Sequence, residues 1–253
     1  MASDSSHNRP DSPRVWCNMT MPDALVEQLQ RGIGAGGGEL ILATKTFASN
    51  LSPGESDPQI KTCDVAFGQP DPRDVIESPR VVWVHINTAG YTRYDDDRFR
   101  EAIRARRGIA TNSSDVYSEP CAQHLVAFMM ARARALPAAL ESFRERAWNY
   151  EPLRRAQRVV AGDNAVIVGY GAIGQRLAQI LLALRVSVVA IRRNMRGDEA
   201  VPTYNFDRLD EALSIADHVF NTLPSAAGTR ELFDAQRFNR TKRGAVRASK
   251  IVR

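Results

Sequence analysis

The chain has 253 residues, a net charge of +5, and 43% hydrophobic and 25% charged residues, which is ordinary for a soluble protein and enough for one large or two modest domains. Lysine stands only at positions 45, 61, 242 and 250, so the basic excess is arginine. It is scattered through every predicted helix, which argues for a solvated basic exterior and against nucleic acid as a partner, since that needs cations gathered on one face.

Cys17, Cys63 and Cys121 are far apart and lack C-x-x-C spacing, which argues against a disulfide framework and a zinc site. Neither a secretory h-region nor an apolar run of membrane length is present. The expectation is a cytoplasmic protein with no membrane partner and no metal.

Residues 1–13 are polar and read as a disordered leader. From Val15 the chain alternates apolar segments with helices. Strands are expected at 15–17, 39–43, 63–68, 81–86 and 108–112, and helices at 22–30, 73–77 and 97–107. This β/α order predicts a parallel sheet with helices on both faces. Gly32-Ile33-Gly34-Ala35-Gly36-Gly37 fits G-x-G-x-x-G, but it follows the polar Glu27-Gln28-Leu29-Gln30-Arg31. Without a preceding strand it reads as a flexible loop. Residues 119–136 predict one long helix fit to cross between lobes, and 146–162 are less periodic and read as a linker.

The most informative stretch is Ala165-Val166-Ile167-Val168-Gly169-Tyr170-Gly171-Ala172-Ile173-Gly174. It joins an apolar strand to a helix through a G-x-G-x-x-G turn. Gly169 allows the sharp turn, Gly171 lets the backbone approach a pyrophosphate, and Gly174 lets the helix lie close on the sheet. The N–H groups of the first helical turn, around Ala172 and Ile173, face the phosphates. Ile173, Leu177, Ile180, Leu181 and Leu184 continue as one apolar helix face, and 186–191 reads as a second buried strand.

Arg192 and Arg193 follow that strand, about 20 residues past the first glycine, where an acid takes the ribose 2′-OH of NAD or an arginine the 2′-phosphate of NADP. The guanidinium favours NADP over NAD. Asn87-Thr88-Ala89-Gly90 sits directly after the strand ending at Ile86, where open α/β sheets bind ligands; small residues there would let backbone N–H groups reach a substrate carboxylate, although the fragment alone reads equally as a tight turn. His7, His85, His124 and His218 lack the neighbours of a triad or a metal site and read as structural. Asp95-Asp96-Asp97 reads as a helix N-terminal acid cluster.

With these pieces in place the chain resembles the D-isomer-specific 2-hydroxyacid dehydrogenases. The resemblance rests on Trp83-Val84-His85-Ile86-Asn87-Thr88-Ala89-Gly90, on Gly108-Ile109-Ala110-Thr111-Asn112, and on Glu119-Pro120-Cys121-Ala122-Gln123-His124, where Gln123 replaces the usual glutamate. It rests also on the 169–174 turn and on His218-Val219-Phe220-Asn221-Thr222-Leu223-Pro224, with Thr229-Arg230 behind it. It runs from about Val15 to about Val246 and implies that Leu223 and Pro224 lie beside the cofactor.

In that family an arginine binds the substrate carboxylate and carbonyl, a histidine moves the proton, and a paired glutamate tunes the histidine. The resemblance places all three beyond the point this chain reaches. Thr241-Lys242-Arg243-Gly244-Ala245-Val246 still follows the pattern, and an apolar strand with an Asn-x-x-Arg-Gly motif would come next. Arg247 and Lys250 are costly in a buried parallel strand, so that strand is not expected. The family spacing from Gly244 puts Ser249 at the asparagine and Val252 at the arginine, with Arg253 one position out of register.

The expected architecture is therefore α/β: a flavodoxin-like substrate lobe at 14–120, an interlobe helix and linker at 121–162, and an incomplete Rossmann NAD(P)-binding lobe at 163–253. The implied chemistry is hydride transfer between NAD(P)H and a small 2-oxo/2-hydroxy acid, impaired in this chain for want of the acid–base residues. The alternative is a non-enzymatic NAD(P)-binding interaction module. A homodimer through the cofactor lobe is also implied.

Overall fold

The structure is a computed structural model that describes residues 11–46, 54–224, 227–229 and 231–249. Expectations placed on residues 1–10, His7 among them, and on Arg230, Lys250, Val252 and Arg253 lie outside the described residues. The chain divides into two compact units between Ser113 and Ser114.

The first unit is built on five parallel strands: β1 (Arg14–Cys17), β2 (Glu39–Leu42), β3 (Val65–Gly68), β4 (Trp83–Ile86) and β5 (Ile109–Asn112), in the order β2-β1-β3-β4-β5. The period of two in strand side chains sends Trp16, Ala66, Val84 and Ile86 to one face. There they pack with Val75 of α2 (Pro72–Glu77) and with Phe99 and Ile103 of α3 (Asp97–Ala105). Burying each large side chain contributes about 1.5–3 kcal/mol. Trp16 is 1% exposed, and its indole N–H donates to Asp57 Oδ2 at 3.1 Å.

The opposite face meets α1 (Asp23–Ala35) across a groove of about 1000 Å³ lined by Leu29, Ile33, Phe67, Trp83 and Ile109. Trp83 remains 41% exposed there, so this face is covered less fully than the expected two-sided layering. Gly32 and Gly34 correct the loop expected at 32–37, because both lie inside α1. Leu29 and Ile33, four residues apart, share the face turned to the groove and carry the helix through its glycines. Helix α3 begins at the acid cluster: Asp96 Oδ1 accepts from the N–H of Arg98 at 2.9 Å and of Phe99 at 3.3 Å, while Asp97 pairs with Arg100 at 2.6 Å.

The second unit holds β6 (Asn164–Val168), β7 (Ser187–Ile191), β8 (Thr203–Tyr204), β9 (His218–Asn221) and β10 (Val246–Ser249), all parallel, in the order β10-β9-β6-β7-β8. Ala165 and Ile167 face α4 (Ser118–Ala133) and α7 (Ala172–Ala183), with Leu125, Met129, Leu177 and Leu181 in that core. Val166 and Val168 face the other way, onto Leu209 and Leu213 of α8 (Leu209–Ile215). One strand thus feeds two cores, which is why its sequence is apolar throughout.

Three expectations are corrected in this unit. The helix expected over 119–136 ends at Ala133; Ala135 turns left-handed at φ 51°, and α5 (Leu136–Arg144) restarts with Pro137 in its first turn. The less periodic 146–162 contains α6 (Tyr150–Ala156), preceded by Trp148, which is 87% exposed. Strand β10 forms in spite of Arg247. It is an edge strand with alternating burial, so Val246 and Ala248 turn inward and Arg247 outward. The Arg247 guanidinium lies 4.6 Å from the Phe238 ring of α9 (Ala235–Arg240) and donates to Thr241 Oγ1 at 2.6 Å. No helix among the described residues is long and apolar enough to cross a membrane.

Candidate functional site

The centre of the second unit is the carboxyl end of β6, where the chain turns through Gly169 at φ +103°. A side chain at Gly169 would meet Leu223 N at 2.9 Å, and one at Gly174 would meet Gly169 O at 2.2 Å. One glycine therefore keeps the turn against the end of β9, and the other keeps α7 down on that turn. Gly171 differs: a Cβ there meets nothing within 4 Å. Its surroundings are open, as close approach of a phosphate to the backbone requires. Gly171 is the N-cap of α7, with no side-chain cap and no acidic residue in the first turn, so its N–H groups and dipole suit an anion. Together these features fit a dinucleotide.

The neighbouring strand ends add the remaining parts. Thr222 after β9 donates through its hydroxyl to Gly169 O at 2.5 Å and through its N–H to Val168 O at 2.9 Å, which fixes Leu223 and Pro224 beside the glycine turn. Thr229 Oγ1 donates to Pro224 O at 2.8 Å. After β7, Arg192 Nη1 donates to Glu199 Oε1 at 3.1 Å. Glu199 also accepts from the N–H of Arg196 at 2.7 Å and of Gly197 at 2.8 Å. The backbone N–H groups, that of Arg196 first, and the Arg192 charge hold its carboxyl below the usual range. Burial pushes the Tyr170 phenol up, and the Glu199 charge adds to this. Arg193 is exposed, and a Cβ on Gly228 would lie 3.3 Å from its Nη2.

Gly169, Gly171, Ala172, Ile173, Gly174, Arg192, Arg193, Leu223 and Pro224 thus gather at the carboxyl ends of β6, β7 and β9, with the chain leaving β6 toward one neighbour and reaching the other later. That is the switch point where open α/β sheets bind ligands. Glu199 and Thr222 were missed as parts of the site. Thr222 precedes the Leu223-Pro224 pair and was readable as its anchor, whereas nothing local marks Glu199.

In the first unit the 87–90 turn stands at the carboxyl end of β4. It is held by Asn87 N–H to Gly68 O at 3.2 Å, Ser113 N–H to Thr88 O at 3.2 Å, Asn112 Nδ2 to Ala89 O at 3.0 Å and Thr88 Oγ1 to Gly90 O at 2.7 Å. The side-chain amide of Gln69 donates to Asn87 Oδ1 at 2.7 Å and to Thr88 Oγ1 at 3.1 Å. This glutamine was also missed.

The histidines lie elsewhere. His85 has Thr111 Oγ1 2.9 Å from Nδ1 and Ser113 Oγ 3.0 Å from Nε2. His124 stacks edge-on against Phe128 with ring centroids 4.7 Å apart. His218 opens β9, at the end opposite Thr222, is wholly buried, and meets Asp163 Oδ2 at 2.7 Å. No cluster of His, Cys, Asp or Glu among the described residues is arranged to hold a metal ion.

The model of the D-isomer specific 2-hydroxyacid dehydrogenase NAD binding domain matches residues 126–247, a stretch that runs from within α4 into β10 and contains the whole glycine site. That stretch, just under half of the chain, is similar to the cofactor domain of this family. Two curated members show the likeness: D-3-phosphoglycerate dehydrogenase of Mycobacterium bovis, 29% identical over 58% of this chain and 28% of the relative, and glyoxylate/hydroxypyruvate reductase B of Salmonella paratyphi C, 32% identical over 58% of this chain and 46% of the relative. The chain thus spans between about a quarter and a half of the length of these relatives. A D-isomer specific 2-hydroxyacid dehydrogenase from Xanthobacter autotrophicus Py2, solved in complex with NADPH and MES, shares the fold with a TM-score of 0.71 and 21% identity, over 94% of this chain and 72% of that one.

Proposed function

We propose that this chain binds a nicotinamide dinucleotide at the glycine turn, NADP in preference to NAD, as part of an oxidoreductase acting on a small 2-oxo or 2-hydroxy acid. The observation that carries the reading is the contrast among the three glycines: Gly169 and Gly174 are packed against backbone, whereas the Gly171 Cβ position is open. Gly171, Ala172 and Ile173 would present backbone N–H groups to the pyrophosphate, and Leu223 and Pro224 would wall the same end of the sheet. Arg193, exposed, and Arg192, oriented by Glu199, would grip a 2′-phosphate in the bidentate manner a guanidinium allows. The nicotinamide supplies or accepts the hydride. The 87–90 turn of the first unit would hold the substrate carboxylate. Family likeness adds a homodimer and a cytoplasmic location to the proposal.

A second reading, a cofactor-binding module with little turnover of its own, is favoured by the histidines. In the second unit His218 lies at the end of β9 away from Thr222, so it is not placed to move a proton at the glycine turn, and His85 of the first unit has both ring nitrogens engaged by hydroxyls.

The test is titration of the full chain with NADPH and NADH, followed by nicotinamide fluorescence, with Gly171→Asp as the control. Saturable binding, tighter for NADPH and lost in the variant, is expected. A folded chain that binds neither cofactor overturns the proposal. Turnover of glyoxylate or hydroxypyruvate with NADPH, above the variant's background, separates the enzyme from the binding module.

A further inference from the structure

The 87–90 turn is neutral in sequence, yet it is wired to a cation that sequence reading passed over. Gln69 follows β3 and is 2% exposed. Its Oε1 accepts from Arg93 Nη1 at 3.2 Å, while its Nε2 donates to Asn87 Oδ1 and Thr88 Oγ1. An amide oxygen only accepts and its nitrogen only donates, so these partners fix the orientation; the flipped amide would set donor against donor at Arg93. The Gln69 main chain is clamped as well, its N–H donating to Asn18 Oδ1 at 2.9 Å and its carbonyl accepting from Asn18 Nδ2 at 2.9 Å. Gln69 is therefore a rigid bridge between the turn and the guanidinium.

Arg93 is equally constrained from its own side. It lies in the short 3-10 turn Thr92–Tyr94, whose Tyr94 is 4% exposed and donates through its hydroxyl to Pro70 O at 2.8 Å. The Tyr94 ring packs on Phe99 with centroids 5.4 Å apart. The side chain of Arg93 is half-buried. Asp71, whose carboxyl senses the Arg93 charge, is held by Arg73, with Nη2 donating to Oδ2 at 2.8 Å and Nε to Oδ1 at 3.2 Å. A guanidinium held in this way puts a planar, permanent positive charge one amide group away from the 87–90 turn.

We propose that Arg93 is the group with which the first unit selects an anionic substrate, pairing with the carboxylate of a small acid on the 87–90 turn, and that Gln69 is its positioning residue. This rests on the reading of that turn as a substrate site. The pairing discriminates a 2-oxo or 2-hydroxy carboxylate from its uncharged amide, because only the acid makes a charge-assisted fork with the guanidinium.

The experiment measures oxalate, oxamate and oxamide binding to the full chain by calorimetry, with NADPH binding and the melting temperature measured on the same samples. The expected result is that wild type binds oxalate more tightly than oxamide, and that Arg93→Met weakens oxalate at least about tenfold and abolishes that preference. Arg93→Lys should be intermediate, and Gln69→Leu should lower oxalate affinity while leaving NADPH affinity unchanged. If Arg93→Met unfolds, Arg93→Gln, which keeps a donor for Gln69 Oε1, carries the same comparison. Oxalate affinity unchanged in a folded Arg93 variant, or no oxalate binding to wild type with or without NADPH, overturns the proposal. Failure of NADPH alone to bind overturns the cofactor reading instead, and Arg93-dependent oxalate binding would then still uphold this site.

Discussion

Replacing Gly174 and Gly171 separately by alanine tests whether the three glycines divide their work as the geometry says. At Gly174 the added Cβ lies 2.2 Å from Gly169 O and 3.2 Å from Ile167 Cγ2, where ordinary contact begins at 3.4 Å. The closer neighbour is backbone, so no rotamer change relieves it, and α7 must lift from the turn by about 1 Å. Overpacking of this kind costs about 1–3 kcal/mol, and the better helix propensity of alanine returns at most about 1 kcal/mol. The net loss is about 1–2 kcal/mol, or roughly 3–8 °C of melting temperature for a unit of this size. At Gly171 the Cβ meets nothing within 4 Å, so Gly171→Ala should melt within about 0.5 kcal/mol of wild type. On the proposed reading its methyl group would stand where the pyrophosphate approaches, and NADPH affinity should fall at least about tenfold, roughly 1.4 kcal/mol. Calorimetric melting and NADPH titration of both variants decide the matter. If Gly171→Ala binds like wild type, or if Gly174→Ala melts no lower than Gly171→Ala, the assignment of roles is wrong.

Two further outcomes follow from ionisable groups taken wholly or partly out of water. Arg106 donates to four carbonyls, those of Val81 at 2.9 Å, Val75 at 2.9 Å, Ile76 at 3.4 Å and Ser78 at 2.5 Å, and so caps the end of α2; Arg106→Met should cost about 2–3 kcal/mol in urea unfolding followed by circular dichroism, and a loss below 0.5 kcal/mol would show that water replaces the guanidinium. Burial pushes the His218 imidazole below its ordinary 6.5 and outweighs Asp163, which raises it; Arg158 lowers and Asp217 raises it further. The folded state therefore binds the proton less readily than the unfolded chain, so this contribution is complete above about pH 6.5 and is lost as the pH falls through the folded value. His218→Gln should flatten the stability profile between pH 7 and pH 5, and an unchanged slope would refute the attribution.

The parts of the fold that were legible in the sequence are those written in local periodicity. Strand β6, the glycine turn and α7 could be read from adjacent residues because turn chemistry and amphipathic spacing are both short-range. The errors came where tertiary placement decides. Gly32 and Gly34 each cost a helix about 1 kcal/mol, and only the packing of Leu29 and Ile33 against the groove shows why α1 continues through them. Arg247 argued against a strand only on the assumption that both faces would be buried, whereas β10 is at the sheet edge. Arg93, Gln69 and Asn18 act together only after folding brings residues 24 and 51 positions apart into contact, and no sequence window of helix or strand length contains all three.

The three tryptophans divide the molecule spectroscopically. Indole emission shifts to the red when water reaches the ring, so a tryptophan reports unfolding only if folding shields it. Trp16 is 1% exposed and Trp83 41%, and both stand on strands of the first unit, whereas Trp148 of the second is already 87% exposed. Loss of the first unit's core should therefore move the emission maximum strongly, while loss of the second should leave it almost unchanged. Intrinsic fluorescence and circular dichroism, recorded on one denaturation series, would then assign each transition to its unit without truncating the chain.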